Sequence, residues 1–436
     1  MNPTVGALDA LGDTTIDARL KGVPLGAKLA LRDVGQQKWN VARGDLALPV
    51  TTLYESALSN NLAAMAAYCA RHGALLAPHA KTTMAPQLMR RQIDAGAWAL
   101  SVATPSQAAV LRHYGFARII LANELVDPRA LRWLAGEMES DPAFEFYCLV
   151  DSNVALATID SALEGVLHRR RLPVLVEVGV EGGRGGVRQA SHALEIAKSV
   201  AASRHLELAG VELYEGLVSN NATPEDLIAV DELCRYGRDV VDSLAHSRLF
   251  RPGPVLLSAG GSAYFDRVVA GLTHDDGAAV QLVLRSGCYL THDRGGYERV
   301  SPLDGRAGPL EELTLRNALV GWAAVLSQPE PGVAIVGAGK RDLPYDAGLP
   351  VPRWRYPRGG AARENLYGRA TVVRLMDQHA FVHFDPDVTL EPGDIVTFDL
   401  SHPCTAFDKC RLVPILDDDE TVIDAVLTFF CRTPAP

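Results

Sequence analysis

The sequence predicts an α/β fold, a (β/α)8 barrel of the TIM type followed by a C-terminal β-domain, and three observations carry that prediction. Between residues 49 and 293 short apolar runs alternate with stretches of helical periodicity, repeating every 25 to 40 residues or so. The runs are apolar on both faces, as in a parallel sheet covered by helices. Beyond Asp293 the pattern changes to short strands separated by turn signals, with little helix between them.

Taken in order, the runs are 49–54, 74–80, 99–104, 119–123, 144–151, 173–180, 208–214, 255–259 and 280–286. Between them lie the helical stretches 58–71, 106–114, 128–139, 154–169, 192–204 and 224–246. Nine runs fit eight barrel strands plus one lent to a neighbour; a doubly wound open sheet is the alternative, and the repeat count favours the barrel. The later strands are 371–375, 380–384, 395–399 and 425–430, punctuated by Asp385-Pro386-Asp387 and Glu391-Pro392-Gly393-Asp394. The Gly- and Pro-rich stretch 332–360 reads as an ordered loop over the barrel mouth. The division expected is an N-terminal segment, 1–47, packing on the β-domain, a barrel over 48–295 and a β-domain over 296–436.

Composition narrows the function. A chain of 436 residues with 48% hydrophobic content can bury a large core. With 42 Lys and Arg against 52 Asp and Glu, a net charge of −10 and no basic run, nucleic acid is not the expected partner. Seven cysteines without a CxxC pair do not form a disulfide framework, which points to a reducing compartment. The first 47 residues hold neither a secretory signal pattern nor an apolar span, so a cytoplasmic protein away from the membrane is expected.

Barrel enzymes place their chemistry where strands end. Leu75–Thr82 delivers Lys81 to the rim, where low-dielectric walls would depress its pKa and free the amine as a nucleophile. The glycine-dense turn 177–187 carries Arg184, a fixed cation for a ring nitrogen or carboxylate; the plain alternative is a flexible loop. Ser258-Ala259-Gly260-Gly261-Ser262 runs into a helix and offers backbone N–H groups and a hydroxyl to a phosphate, without the Lys of a Walker loop. Gly287-Cys288-Tyr289 follows the last run and would complete the same cradle at barrel closure. Lysine, arginine, anion cradle and tyrosine on separate strands suit pyridoxal phosphate.

Seven short motifs in one order strengthen that reading: Pro78-His79-Ala80-Lys81-Thr82, Tyr214-Glu215-Gly216, Ser258-Ala259-Gly260-Gly261-Ser262, Arg285-Ser286-Gly287-Cys288-Tyr289, Asp346-Ala347-Gly348-Leu349-Pro350, Gln378-His379 and Ser401-His402-Pro403-Cys404. From about Pro49 to Lys409 the chain resembles the fold-type III pyridoxal-phosphate enzymes of the D-serine dehydratase and D-threonine aldolase group. The resemblance implies an alanine-racemase-like barrel with a β-domain, commonly in a homodimer. It makes Lys81 the Schiff-base lysine, sets Gly260, Gly261, Ser262, Gly287 and Tyr289 at the phosphate, counts Ser258 and Cys288 among the cofactor-binding residues, and gives the pyridine nitrogen to Arg184 or Tyr214. The chain departs from the family at Ala77 and Met84, where Arg and Lys are usual.

His402 and Cys404 are two apart; if the preceding strand continues, both face one way and can share Zn²⁺ while leaving positions for water and substrate. By resemblance His-x-Cys marks the dehydratases, whereas the aldolases place an acid second. The expected activity is therefore dehydration and deamination of D-serine, or a related D-3-hydroxy amino acid, to pyruvate or its 2-oxo acid counterpart and ammonia. Retro-aldol cleavage to glycine and an aldehyde is the alternative, followed by racemisation with Lys81 as one base, and then by a non-catalytic cofactor carrier. His79, His292, Asp293, Gln378 and His379 are either supporting groups or ordinary structural polar residues.

Overall fold

The computed structural model describes residues 6–430 except 220, 274–279, 307–311 and 359–361. Eight parallel strands form the barrel: Leu75–Leu76, Leu100–Val102, Arg118–Glu124, Glu145–Val150, Leu172–Val178, Leu206–Leu213, Val255–Ala259 and Val280–Leu284. Each pairs with its sequence neighbour from the second to the eighth, and the eighth pairs with the first. A bridge between His79 and Ser101 joins the first to the second, so the ring closes and the open-sheet alternative falls. Ala77, Ala99 and Ala209 sit inside with Ile120, Leu175, Leu256 and Val283; small residues beside large ones fill the narrow interior.

The helices start where local chemistry directs. Pro105–His113, Pro128–Ser140 and Pro224–His246 each place proline in the first turn behind a capping Thr104, Asp127 or Thr223. Thr223 and Asp226 form a reciprocal capping box.

The lent strand is Val50–Tyr54. It pairs with Leu319–Glu330 and with Leu412–Leu416 of the β-domain, although it lies inside the span expected for the barrel. Leu319–Glu330 is the central β-domain strand, running antiparallel to Val333–Val336 and Ile395–Asp399. Its first part is buried on both faces, so it shows no alternation to reveal it in the sequence. The stretch expected as one loop, 332–360, contains the strands Val333–Val336 and Val351–Tyr356; only the turn between them is irregular, and residues 359–360 lie outside the described residues. The strand expected at 425–430 runs instead over Val422–Leu427, paired with Leu412–Leu416. The N-terminal segment lies on that pair: Val41 N–H donates to Glu420 O at 3.0 Å and Val422 N–H to Trp39 O at 2.7 Å. Among the described residues no helix is long and apolar enough to cross a membrane.

Candidate active site

The barrel mouth brings the strand-end residues together. Lys81 lies in the helical turn Ala80–Thr82 just past the first strand. It is exposed rather than walled by apolar surface as expected, and among the described residues no hydrogen bond or ion pair engages its ammonium. His79 is half-buried, with its Nδ1 buried and unpartnered. Burial, and then the charges of Lys81, Arg285 and Arg184, push its imidazole well below the usual range and keep it neutral. Arg184 is exposed in its glycine turn, with its guanidinium 5.3 Å from the centre of the half-buried Tyr214 ring.

In the anion cradle several of the expected groups already have protein partners. Glu215, fully buried, accepts the N–H groups of Gly260 at 3.1 Å and Gly261 at 2.5 Å. The Tyr289 hydroxyl accepts from Gln92 at 3.2 Å and is turned away into helix Pro86–Asp94. Ser262 Oγ accepts Cys288 N–H at 3.2 Å, tying the two strand ends together. The N–H groups of Ser262 and Gly287 are among those without a partner among the described residues. A Cβ at Gly287 would lie 2.6 Å from His79 O and 2.8 Å from Thr82 Oγ1, so only glycine brings the backbone this close. Ser258 Oγ and Arg285 Nε are buried and unpartnered beneath.

A set of carboxylates that sequence reading passed over lines the same mouth. Glu177 and Glu212 are register partners on adjacent strands, and Glu212 is ion-paired with Arg285. Carboxylate oxygens of Glu124, Asp151 and Glu177 lie within 4.8 Å of one another. Burial, then hydrogen bonding to Glu124, pushes the Glu177 carboxyl up to about 9, so it is protonated at neutral pH. Burial also raises Glu212. The available signal was a single acid within each of the apolar runs 173–180 and 208–214.

The β-domain contributes His402 and Cys404, but not along one strand. The strand stops at Asp399; His402 precedes the helix Pro403–Phe407, with Pro403 in its first turn, and Cys404 lies within it. This helix start, not the two-residue period of a strand, brings the side chains together. Asp346 Oδ2 holds His402 Nδ1 at 2.5 Å, leaving the other ring nitrogen for Cys404. Hydrogen bonding to Cys404, and then to Asp346, raises the imidazole to about 9. The Cys404 thiol is held well below its usual range by hydrogen bonding with Cys288, His402 and Thr82, against the opposing effect of burial. Cys404 Sγ lies 3.5 Å from Thr82 Oγ1, which sets the pair against the residue that follows Lys81. His402 also lines a cleft of about 290 Å³ with Tyr297, Arg299 and Ala347.

Residues 54–264 match the alanine racemase N-terminal domain, and residues 318–416 match the serine dehydratase domain. The chain thus pairs an alanine racemase N-terminal domain with a serine dehydratase domain, as in the fold-type III pyridoxal-phosphate enzymes it resembles. It is 28% identical over 331 residues to a D-threonine aldolase of Arthrobacter sp., covering 75% of this chain and 77% of the relative. It is 26% identical over 375 residues to a 3-hydroxy-D-aspartate aldolase of Paracoccus denitrificans strain Pd 1222, covering 85% of each. Among solved structures, the D-threo-3-hydroxyaspartate dehydratase of Delftia sp. HT23 shares the fold with a TM-score of 0.68 at 21% identity, covering 89% of this chain and 99% of that one.

The residues present fit the cofactor of the fold-type III enzymes. An unengaged lysine, the two free N–H groups of Ser262 and Gly287, the glycine that lets the backbone approach, and the Arg184–Tyr214 pair converge on the mouth. Gly260, Gly261 and the Tyr289 hydroxyl, expected to hold the phosphate, are committed to protein partners instead. The remaining polar residues take structural roles. His292 Nε2 pairs with Asp304 at 2.8 Å, Asp293 accepts three N–H groups from 295–297, and Gln378 bonds Asp342 at 2.8 Å. His379 is exposed in a turn of the β-domain.

Proposed function

We propose that this protein is a pyridoxal-phosphate- and zinc-dependent lyase that dehydrates and deaminates D-serine, or a related D-3-hydroxy amino acid, to a 2-oxo acid and ammonia. The observation that carries the reading is the His402–Cys404 pair, an N/S donor set oriented by Asp346 and held against Thr82 beside Lys81. Imidazole and thiolate together suit Zn²⁺, and two protein ligands leave positions for water and substrate. Asp346 orients the His402 ring as an outer partner does at such sites.

Each group has a task. Lys81 holds the cofactor and takes or returns a proton at the substrate Cα; Ser262 and Gly287 N–H groups fix the phosphate end. Arg184 and Tyr214 would address the ring, and Arg285 and neutral His79 would line its site. When bound, the cofactor withdraws electrons from Cα, and zinc stabilises the departing hydroxide as a Lewis acid. His402 and Cys404 hold that ion where the substrate's β-hydroxyl enters.

A D-threo-3-hydroxyaspartate dehydratase of the same fold, with one cysteine replaced by alanine, is described in a metal-free form, which is in keeping with a cysteine ligand. The two aldolase relatives favour a second reading, retro-aldol cleavage to glycine and an aldehyde. A cytoplasmic homodimer completes the proposal; exposed Leu326, Val373 and Met376 give the β-domain apolar surface for a second copy, and sedimentation of the purified protein tests it.

Purified protein loaded with cofactor and zinc is to be given D-serine, D-threonine and D-3-hydroxyaspartate. Pyruvate and ammonia from D-serine are expected, with loss on chelation and return with Zn²⁺. Lys81→Ala is expected to lose roughly 10²-fold or more of the turnover together with the bound-cofactor absorption. Glycine as the product of the β-hydroxy substrates moves the protein to the aldolase reading, and full activity without metal removes the zinc assignment.

A further inference from the structure

Two cysteines from different domains face each other at the junction. Cys288 lies in the turn after the last barrel strand, and its Sγ is 3.7 Å from Cys404 Sγ in the β-domain. The Thr82 hydroxyl touches both sulfurs, at 3.8 Å and 3.5 Å. No other pair of cysteine sulfurs is in contact among the described residues; Cys69, Cys148, Cys234 and Cys410 are buried apart, and Cys431 lies outside those residues.

The two sulfurs differ in access. Cys288 is 4% exposed, whereas Cys404 is partly open beside His402 and its cleft. A small oxidant therefore meets Cys404 first, with Cys288 waiting behind it. A disulfide spans about 2.05 Å, so the sulfurs must close by roughly 1.7 Å, within the reach of side-chain rotation when the atoms already touch.

We propose that Cys288 and Cys404 form a reversible oxidation site that a peroxide closes into a disulfide linking barrel to β-domain. The Cys404 sulfur attacks one peroxide oxygen, the O–O bond breaks, and one water leaves with the thiol proton, giving the sulfenic acid. The Cys288 sulfur then attacks the Cys404 sulfur; the S–O bond breaks and hydroxide leaves with the Cys288 proton as a second water. Two thiols lose two electrons in total and one peroxide is reduced to two waters. A dithiol reductant reverses the linkage by exchange.

The consequence for metal rests on the reading of His402 and Cys404 as ligands. A sulfur shared in a disulfide no longer binds as a thiolate, so oxidation withdraws one of the two protein donors. Peroxide would thus release the ion and couple redox state to elimination.

The purified, metal-loaded protein is to be treated with hydrogen peroxide, alkylated, digested and analysed by mass spectrometry, while a chromogenic chelator follows zinc. A peptide pair joining Cys288 to Cys404 is expected, two hydrogens lighter than its free thiol parts, lost on dithiothreitol treatment and absent in Cys288→Ser. In that variant Cys404 is expected to pass on to the sulfinic acid, which shows that the fold still exposes it. Cross-linking without zinc release supports the cysteine pair and overturns the ligand assignment. Sulfinic acid at Cys404 in the wild type with no cross-linked peptide overturns the pair, whether or not zinc is released.

Discussion

Gly287 and Glu177 show how single side chains prepare the mouth. A methyl group at Gly287 meets the His79 carbonyl and the Thr82 hydroxyl, so Gly287→Ala must displace backbone at the cradle, at a cost of about 1–3 kcal/mol. Cofactor affinity is expected to fall roughly tenfold or more while the far-ultraviolet circular dichroism holds; dialysis followed by absorbance measures it. For Glu177 the sign follows from its raised pKa. The folded protein keeps a proton up to about pH 9, whereas the unfolded chain releases it near the ordinary glutamate value of 4.5. Between those values the unfolded state binds fewer protons, so stability falls as pH rises. Glu177→Gln is expected to flatten that decline by at least the ~1.4 kcal/mol that one pKa unit represents, read as a smaller loss of denaturation midpoint from pH 6 to pH 9 than in the wild type.

At the scale of elements, the turn between Val333–Val336 and Val351–Tyr356 matters because it carries Asp346 to His402 and Thr405, at 2.5 Å and 2.7 Å. Asp346→Ala leaves His402 and Cys404 in place but frees the imidazole ring. Zinc affinity is expected to drop 10- to 100-fold, the usual range for loss of such a partner, with little change in cofactor retention. Competition with a metal-binding dye measures the first and absorbance the second. Elements also explain where sequence reading stopped. Strands between helices were legible because each apolar run is bounded by polar turns. Leu319–Glu330 was not, because its first half is buried on both faces and it follows no helix.

Across the whole molecule the two domains are interlocked rather than strung in series. The chain enters the β-domain through Val50–Tyr54, crosses to the barrel, and returns where Ala318 N–H donates to Thr291 O at 2.8 Å. Asn61, fully buried in helix Glu55–Arg71, donates to Leu290 O at 2.9 Å and Arg316 O at 2.7 Å and accepts Arg316 N–H at 2.7 Å. Asn61→Ala strands three backbone groups at the junction and is expected to cost about 2–3 kcal/mol. Because the junction belongs to both domains, calorimetry should show one transition moved down; a barrel that melts separately from an unshifted β-domain contradicts the interlock.

The sequence by itself determined what is written locally. The β/α repeat, strand ends bearing Lys81 and Arg184, the glycine turns at 260 and 287, and the His402–Cys404 spacing are all legible, since periodicity and turn chemistry act over a few residues. Only the tertiary structure decided which groups are already spent. Glu215 takes the Gly260 and Gly261 amides and Gln92 takes the Tyr289 hydroxyl, partners separated by 45, 46 and 197 residues. It alone joined Cys288 to Cys404 and gathered Glu124, Asp151 and Glu177 from the ends of three neighbouring strands. A buried polar atom must find a partner wherever the fold supplies one, and no local pattern records that choice.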